Sequence, residues 1–465
     1  MTCPEAMKTR AYVFGVEKVN GYDAWALFTA CAAGDMRKVK ALAAKDRKLV
    51  NAQFWYQFPI HMAVGKGHTE IVELLLERGA DPGQSRFTYN SWDKLLRVAK
   101  ERGHRKVEAL LARAMRKRFG YSPGFDALKE AIIARDARKI NAALRRRPDL
   151  VRASDALGNA ALHWSVITRQ PGLIERFVQG GTSIDAQRAD GQTAVLLAIN
   201  KGCDYWYRDT RRRSHPSIRN LWVIVGNLLA RGARYTISVA AAVGDEEGVK
   251  RFLEKDASLA RRLDSSRVSP LSHAAREGYV GIVRLLLEHG ADPNLPEDLA
   301  PDGRALFEAC TGNHVEVAEL LLEHGANPNA GVDSCGCCLT TVGLHHPEAS
   351  RPMEQLLRKH GANTPPYAMS VKEMKQALRA GHEVVRHEEF LGNVMRKNSP
   401  GLLDLYLEKD PSVPYRMHLH AGIAYPRSPA LVRKLLAHGL DPHLASPIPT
   451  PGGNGVEPAP FPDQR

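Results

Sequence analysis

Five residues between positions 335 and 346 have side chains that bind transition metals: Cys335, Cys337, Cys338, His345 and His346. Zinc sites usually separate their cysteines by two to four residues, and adjacent cysteines cannot easily both reach one tetrahedral ion. Small buried cysteines are also good packing residues, and no basic neighbour that would activate a thiolate is visible. We therefore expect no bound metal or cofactor, and keep a metal- or redox-regulated adaptor as one alternative.

Two other segments have side chains suited to binding a partner. Phe54, Trp55 and Tyr56 are consecutive aromatic residues, either buried or displayed. A second segment, 203–222, mixes aromatic and basic residues, which can stack on and pair with acidic or nucleic-acid ligands. Its candidate residues are Tyr205, Trp206, Tyr207, Arg208, Arg211, Arg212 and Arg213. The alternative for this segment is an extended helix end whose arginines lie in water.

The composition favours a non-catalytic intracellular protein. The sequence contains no G-x-x-x-x-G-K, H-E-x-x-H or G-x-S-x-G pattern, so the commonest phosphate, zinc-protease and hydrolase sites are not indicated. Its seven cysteines are mostly isolated and no long apolar run occurs, which predicts a cytoplasmic protein without a membrane span. The 65 Lys and Arg against 51 Asp and Glu give a net charge of +14, which suits an acidic partner.

One pattern of 14 residues occurs three times: EIVELLLERGADPG at 70–83, GIVRLLLEHGADPN at 281–294 and EVAELLLEHGANPN at 316–329. Each copy predicts a helix that is apolar on more than one side and therefore packs between neighbours. The glycine near its end supplies the left-handed conformation that ends a helix, and the proline that follows cannot extend it. A shorter predicted helix precedes the longer one, as at 59–68 and 270–279.

This unit resembles the ankyrin repeat, which has about 33 residues, a T-P-L-H-x-A start and a G-A-D-x-N end. The matching residues at the start of the unit are Pro59, His61, Ala63, Leu162, His163, Thr193, Ala198, Pro270, Leu271 and Ala274. The resemblance covers roughly residues 23–443, with about a dozen units of uneven quality. It implies an all-α fold, an ankyrin-repeat α-solenoid of helix-turn-helix units joined by hairpin-like loops.

Departures from the repeat predict the division of the chain. We expect an N-terminal extension at 1–22, a first repeat block at 23–119, and a second block at 125–363 with an insertion at 203–220. Degenerate repeats at 364–443 and a disordered tail at 444–465, rich in Pro and Gly, complete the prediction.

The resemblance also implies a function. Ankyrin repeats bind other proteins through loop tips and a concave face, and that face falls here at Met62, Trp164, His273 and Glu308. Histidines at the T-P-L-H position, His61 and His163, are expected to tie the loop to the first helix. We expect a protein-binding scaffold or adaptor.

A polyanion- or nucleic-acid-binding protein is the other alternative, using the basic regions 85–147 and 205–219. Residues 85–118 contain eleven Lys and Arg but three Asp and Glu. Helix ends already favour such cations, so we expect nucleic-acid binding to be weak and non-specific at most.

Overall fold

A computed structural model describes most of the chain. The described residues are 3–4, 7–14, 17–54, 57–81, 92–200, 219–297, 300–332, 336–345, 348–364, 369–379, 399–409 and 429–438. The chain divides into two compact units, Cys3–Ser334 and Cys335–Arg465. Together the described residues form 23 α-helices, and none of these helices is long and apolar enough to cross a membrane.

The first unit begins with a short antiparallel hairpin and continues with nine helix pairs. The hairpin strands are β1 (Tyr12–Phe14) and β2 (Glu17–Val19). The first four pairs are α1 (Gly21–Ala33) and α2 (Met36–Lys45), α3 (Pro59–Lys66) and α4 (Thr69–Glu77), α5 (Trp92–Glu101) and α6 (Arg105–Phe119), α7 (Asp126–Ile133) and α8 (Ala137–Arg146). The next three are α9 (Ala161–Ile167) and α10 (Gly172–Gln179), α11 (Ala194–Ile199) and α12 (Arg219–Ala230), α13 (Ile237–Val243) and α14 (Glu246–Lys255). The last two are α15 (Pro270–Glu277) and α16 (Val280–Glu288), α17 (Ala305–Gly312) and α18 (Val315–Glu323).

Each pair consists of an inner helix, which comes first, and an outer helix. Four 3₁₀ turns, at Arg47–Asn51, Pro123–Phe125, Pro148–Arg152 and Ala257–Arg261, lie in the connections between pairs. The strand β3 (Gly331–Val332) follows the last pair. The all-α repeat fold predicted from the sequence is confirmed.

The second unit is helical as well. It contains the short strand β4 (Gly336–Cys337) and the helices α19 (Cys338–His345), α20 (Arg351–Lys359), α21 (Val371–Arg379), α22 (Pro400–Lys409) and α23 (Pro429–Ala437). The predicted tail at 444–465 lies outside the described residues. The predicted division of the chain into repeat blocks stays a proposal.

The repeated pattern produces these pairs through burial. In α16, Ile282, Val283, Leu286 and Leu287 are buried, because the helix packs against its own inner helix and against both neighbouring outer helices. Burial of a leucine side chain contributes about 1.5–3 kcal/mol, so every repeat depends on its neighbours for stability.

The turn between the two helices of a pair is also repeated. Gly278 ends α15 with a φ of 79°, and the ring of His314 from the next repeat lies against it, where a Cβ would come within 2.6 Å of His314 Nδ1. His314 Nε2 also donates a hydrogen bond to the carbonyl of Arg276 at 3.1 Å. The same arrangement joins Gly34 to His68. It explains why a glycine at the end of one inner helix recurs with a histidine in the next repeat.

The sequence predicts a bend or break between the two repeat blocks, at residues 120–124, and backbone hydrogen bonds fix this segment. Gly120 ends α6 with a φ of 77°, and its carbonyl accepts from the Ser154 amide at 3.0 Å. The Ser122 amide donates to the Ser154 carbonyl at 3.0 Å. Both sides of the predicted break lie within the first compact unit.

Candidate functional site

The inner helices carry the four residues that the resemblance assigns to a concave binding face. Their exposed fractions are small: 5% for Met62, 5% for Trp164, 1% for His273 and 7% for Glu308. This burial differs from the expected display on an open face, because neighbouring inner helices such as α13, α15 and α17 pack side by side. A role for the four side chains in binding a partner stays a prediction.

Trp164 is held by a buried carboxylate. Its indole Nε1 donates to Asp155 Oδ2 at 3.0 Å, and the Asn159 side chain donates to both carboxylate oxygens. Burial raises the pKa of Asp155, although the hydrogen bonds from Asn159 and Leu157 favour its charged form. This arrangement connects the inner helix α9 to the loop before it.

His61 and His163 join loops to inner helices, as the resemblance implies. The backbone N–H of Phe58 donates to His61 Nδ1, and that of Ala160 donates to His163 Nδ1, both at 3.1 Å. His163 Nε2 donates in turn to the carbonyl of Gln192 at 3.3 Å. Burial lowers the pKa of each histidine to about 4, so both are neutral at pH 7. The structural interpretation of these residues is confirmed.

His273 belongs to a hydrogen-bonded chain that crosses several repeats. Its Nε2 donates to Asp264 Oδ2 at 2.8 Å, and Ser266 Oγ donates to Asp264 Oδ1 at 2.6 Å. Ser266 accepts from Asn200 at 3.1 Å, and Asn200 Oδ1 accepts from Arg276 Nη1 at 3.1 Å. Burial lowers the pKa of His273 despite the opposing effect of the Asp264 charge.

Glu308 lies at the other end of this chain, between two arginines. Arg276 binds the carboxylate with two nitrogens, at 2.9 and 2.8 Å, and Arg304 Nε donates to Oε1 at 2.6 Å. Burial alone would raise the pKa of Glu308, but the charges of Arg276 and Arg304 outweigh it and hold that pKa well below its usual range. Removing one partner of such a buried group costs about 3–5 kcal/mol. The structure thus connects His273 and Glu308, which the sequence analysis named separately.

A second buried carboxyl group lies next to this chain. Glu297 is 1% exposed and accepts a hydrogen bond from Ser272 Oγ at 2.6 Å. Burial raises its pKa to about 7, in spite of the opposing charge of Arg304. The sequence does not indicate Glu297 and Arg276 because their partners, Ser272 and Glu308, lie 25 and 32 residues away. Arg304 lies only four residues before Glu308, but it stands in a loop whose sequence varies among the repeats.

The aromatic candidates are described only in part. Phe54 is 7% exposed and its ring packs edge-on against Trp25, with ring centroids 5.9 Å apart, which matches the burial alternative. Trp55 and Tyr56 lie outside the described residues. The same holds for the candidates of the insertion: Tyr205, Trp206, Tyr207, Arg208, Arg211, Arg212 and Arg213.

The cysteine-rich segment is also described in part, since Cys335 and His346 lie outside the described residues, as does the side chain of His345. Cys338 is buried at the start of α19, and half-buried Cys337 contacts Thr340, with its Sγ 3.6 Å from Thr340 Oγ1. In the described part of the chain, no group of three or more His, Cys, Asp and Glu side chains is arranged to hold a metal ion.

The basic region 85–147, described from residue 92, contains several ion pairs. Arg113 bridges to Glu73 at 3.0 Å and Arg118 to Asp81 at 3.0 Å, each joining α6 to the preceding repeat. Exposed pairs contribute only about 0–1 kcal/mol, but they neutralise part of the charge excess.

Comparison with known proteins identifies the repeats. A family model of ankyrin repeats matches residues 15–86 and 235–331 in three copies. The chain contains ankyrin repeats. The B-cell lymphoma 3 protein homolog of Mus musculus is 31% identical over 144 residues, 30% of this chain and 30% of that protein. Capsid vertex component 2 of Human herpesvirus 2 (strain HG52) is 31% identical over 100 residues, 22% of this chain and 17% of that protein. This ankyrin-repeat chain therefore spans less than a third of either relative.

Proposed function

We propose that the protein is a non-catalytic scaffold that binds another protein through its loop tips and its 203–220 insertion. Ankyrin repeats generally mediate protein–protein interactions. The observation that carries the proposal is the array of nine helix pairs, in which the same packing positions recur while loop sequences differ. The net charge of +14 favours an acidic partner. A reducing location such as the cytoplasm is part of the proposal and suits the buried thiols of Cys31 and Cys310.

The insertion is the strongest candidate surface because of where it joins the array. It connects α11 to α12, whereas Gly278 and Tyr279 alone connect α15 to α16. Val223, in the first turns of α12, leaves 56% of its surface exposed and lies close to the insertion in sequence. Insertions in repeat proteins collect on one face, which is often the binding face.

Isolation of partners by the full chain tests this function. We expect a protein that stays bound after nuclease treatment, and that is lost when residues 204–217 are removed. The repeats should fold without this segment, because α11 and α12 keep their own packing contacts. Replacing Tyr205, Trp206 and Tyr207 by serine is a second variant that leaves the length unchanged.

The matched control is Lys250→Ala, an exposed substitution on the outer helix α14. It should leave the partner bound and the circular dichroism melt unchanged. A partner that nuclease releases, or one that both insertion variants retain at full level, would contradict the proposal.

A further inference from the structure

A cavity of about 310 Å³ in the first unit is lined mainly by polar and charged side chains. The described residues around it are Glu17, Arg47, Lys48, Asn51, Gln53, Phe58, Arg78, Gly79, Asp81 and Arg267. Four of these carry positive charge and two carry negative charge, which leaves the lining with a net charge of +2. Its volume lies at the lower end of the range for small-ligand sites, about 300–1,000 Å³.

The two carboxylates of the lining are already paired. Glu17 binds Lys48 Nζ at 2.9 Å, and Asp81 binds Arg118, which is not among the lining residues, at 3.0 Å. These pairs leave the three arginines of the cavity as its surplus charge.

Two of the three arginines are fixed by backbone carbonyls. Arg47 Nε donates to the carbonyl of Arg78 at 3.0 Å, and Arg78 Nη1 donates to the carbonyl of Ala43 at 3.3 Å. A carbonyl orients a guanidinium group without neutralising its charge. In the described structure neither arginine has a carboxylate within ion-pair distance, so both remain positively charged at the cavity wall.

Arg267 is the third arginine, and its backbone is unusual. Its φ is 62°, in the left-handed region that glycine adopts without cost. The same position of other repeat loops is occupied by Gly158, Gly191 and Gly303, with φ values of 79°, 80° and 93°. The loop at 264–268 has an arginine where these loops have glycine. The side chain of Arg267 is half-buried and makes no side-chain hydrogen bond or ion pair in the described part of the chain.

The glycines have a steric reason that does not apply at Arg267. A Cβ at Gly191 would come within 2.0 Å of the Ser265 carbonyl oxygen, and one at Gly303 within 2.4 Å of the Pro293 oxygen. The loop at 264–268 accommodates a side chain despite its strained φ. An arginine side chain is therefore sterically allowed at this position, where the other loops require glycine.

We propose that this basic cavity binds a phosphate monoester. Such a group carries a charge of about −1.5 to −2 at pH 7, opposite in sign to the surplus charge of the three arginines. Guanidinium groups bind phosphate oxygens in pairs, and the three unneutralised arginines supply such donors from two different parts of the unit. The phosphate belongs either to a phosphorylated side chain of another protein or to a free small molecule. This inference does not depend on the proposed scaffold function.

Phosphorus-31 NMR with O-phosphoserine as the probe tests the proposal on the full chain. We expect saturable broadening of the phosphate resonance with the unaltered protein. Arg267→Gly restores the residue found in the other loops and should bind phosphoserine about ten- to a hundredfold more weakly, because one charge-assisted contact is lost. Its melting temperature should stay the same or rise, since the strained φ is relieved.

Two further variants separate a built site from general attraction. Arg262→Gln removes one positive charge from an exposed residue outside the cavity lining and should leave binding unchanged. Arg267→Lys keeps the charge but loses the paired donors, and should bind with intermediate affinity. Equal binding by the unaltered protein and Arg267→Gly, or an equal loss in Arg262→Gln, would overturn the proposal.

The ligand class and its source are read from the same titration. Citrate contains no phosphorus and is added as a competitor: displacement of phosphoserine by a lower concentration of citrate would overturn the proposal in favour of carboxylates. A peptide containing phosphoserine that binds at least ten times more tightly than free phosphoserine would assign the phosphate to a protein partner, whereas equal affinities would assign it to a small molecule. Both of these outcomes support a phosphate site, and binding of neither probe would contradict it.

Discussion

Buried ionisable residues determine how the stability of this protein responds to pH. Glu297 has a folded pKa of about 7, above its ordinary value of 4.5, because burial disfavours its charged form. The contribution of Glu297 to the free energy of unfolding is therefore greatest below pH 4.5 and is lost as the pH rises through 7. Between pH 4.5 and pH 8 this loss amounts to about 3 kcal/mol.

Glu297→Gln removes this dependence while keeping an oxygen that accepts from Ser272. We expect the urea midpoint of the variant, relative to the unaltered protein, to be higher at pH 8 than at pH 5. Urea denaturation followed by circular dichroism measures both midpoints. A difference that is the same at both pH values would show that Glu297 titrates normally in the folded protein.

The sequence indicated some of these residues but not their partners. His163 was predictable, because it occupies the T-P-L-H position and its Nδ1 bonds to a backbone amide only three residues away. Arg276 and Glu308 are 32 residues apart and lie on the neighbouring inner helices α15 and α17. Their contact depends on how these helices stack, which the sequence alone does not show. Arg267 could have been noticed as an arginine where sister loops have glycine, but the cavity beside it depends on residues 17–81.

At the scale of the helices, the repeated leucines are the test of the stacking. Leu286 in α16 and Leu321 in α18 are fully buried between neighbouring helices. Replacing either by alanine should destabilise the protein by about 2–5 kcal/mol and weaken mainly the adjoining repeats. Circular dichroism melts measure this loss. Arg284→Ala, an exposed change on the same α16 helix, should leave the melt unchanged.

Unaltered melting of both leucine variants would mean that these helices are not packed on two sides. The outer helices were predictable from sequence because apolar residues and a terminating glycine mark each of them. The nearly complete burial of inner helices such as α9 and α11 was not, since it depends on what packs against both sides of a helix.

At the scale of the whole molecule, the arrangement of charge bears on the kind of partner. The sequence has a net charge of +14, and among the described residues part of the basic excess is paired, as in Arg113 with Glu73. Specific nucleic-acid binders place basic and aromatic side chains on one groove or face. In the described repeats, Trp25, Trp92 and Trp164 are buried, whereas the exposed aromatic residues Tyr22 and Tyr235 lie far apart in the sequence.

A salt titration of DNA and RNA binding by the full chain tests most directly the claim that the array recognises a protein. We expect weak, sequence-independent binding, with dissociation constants of about 10⁻⁴–10⁻⁶ M at physiological salt, and a steep loss of affinity as salt is added. Nanomolar, sequence-selective binding that persists at about 0.15 M salt would contradict it.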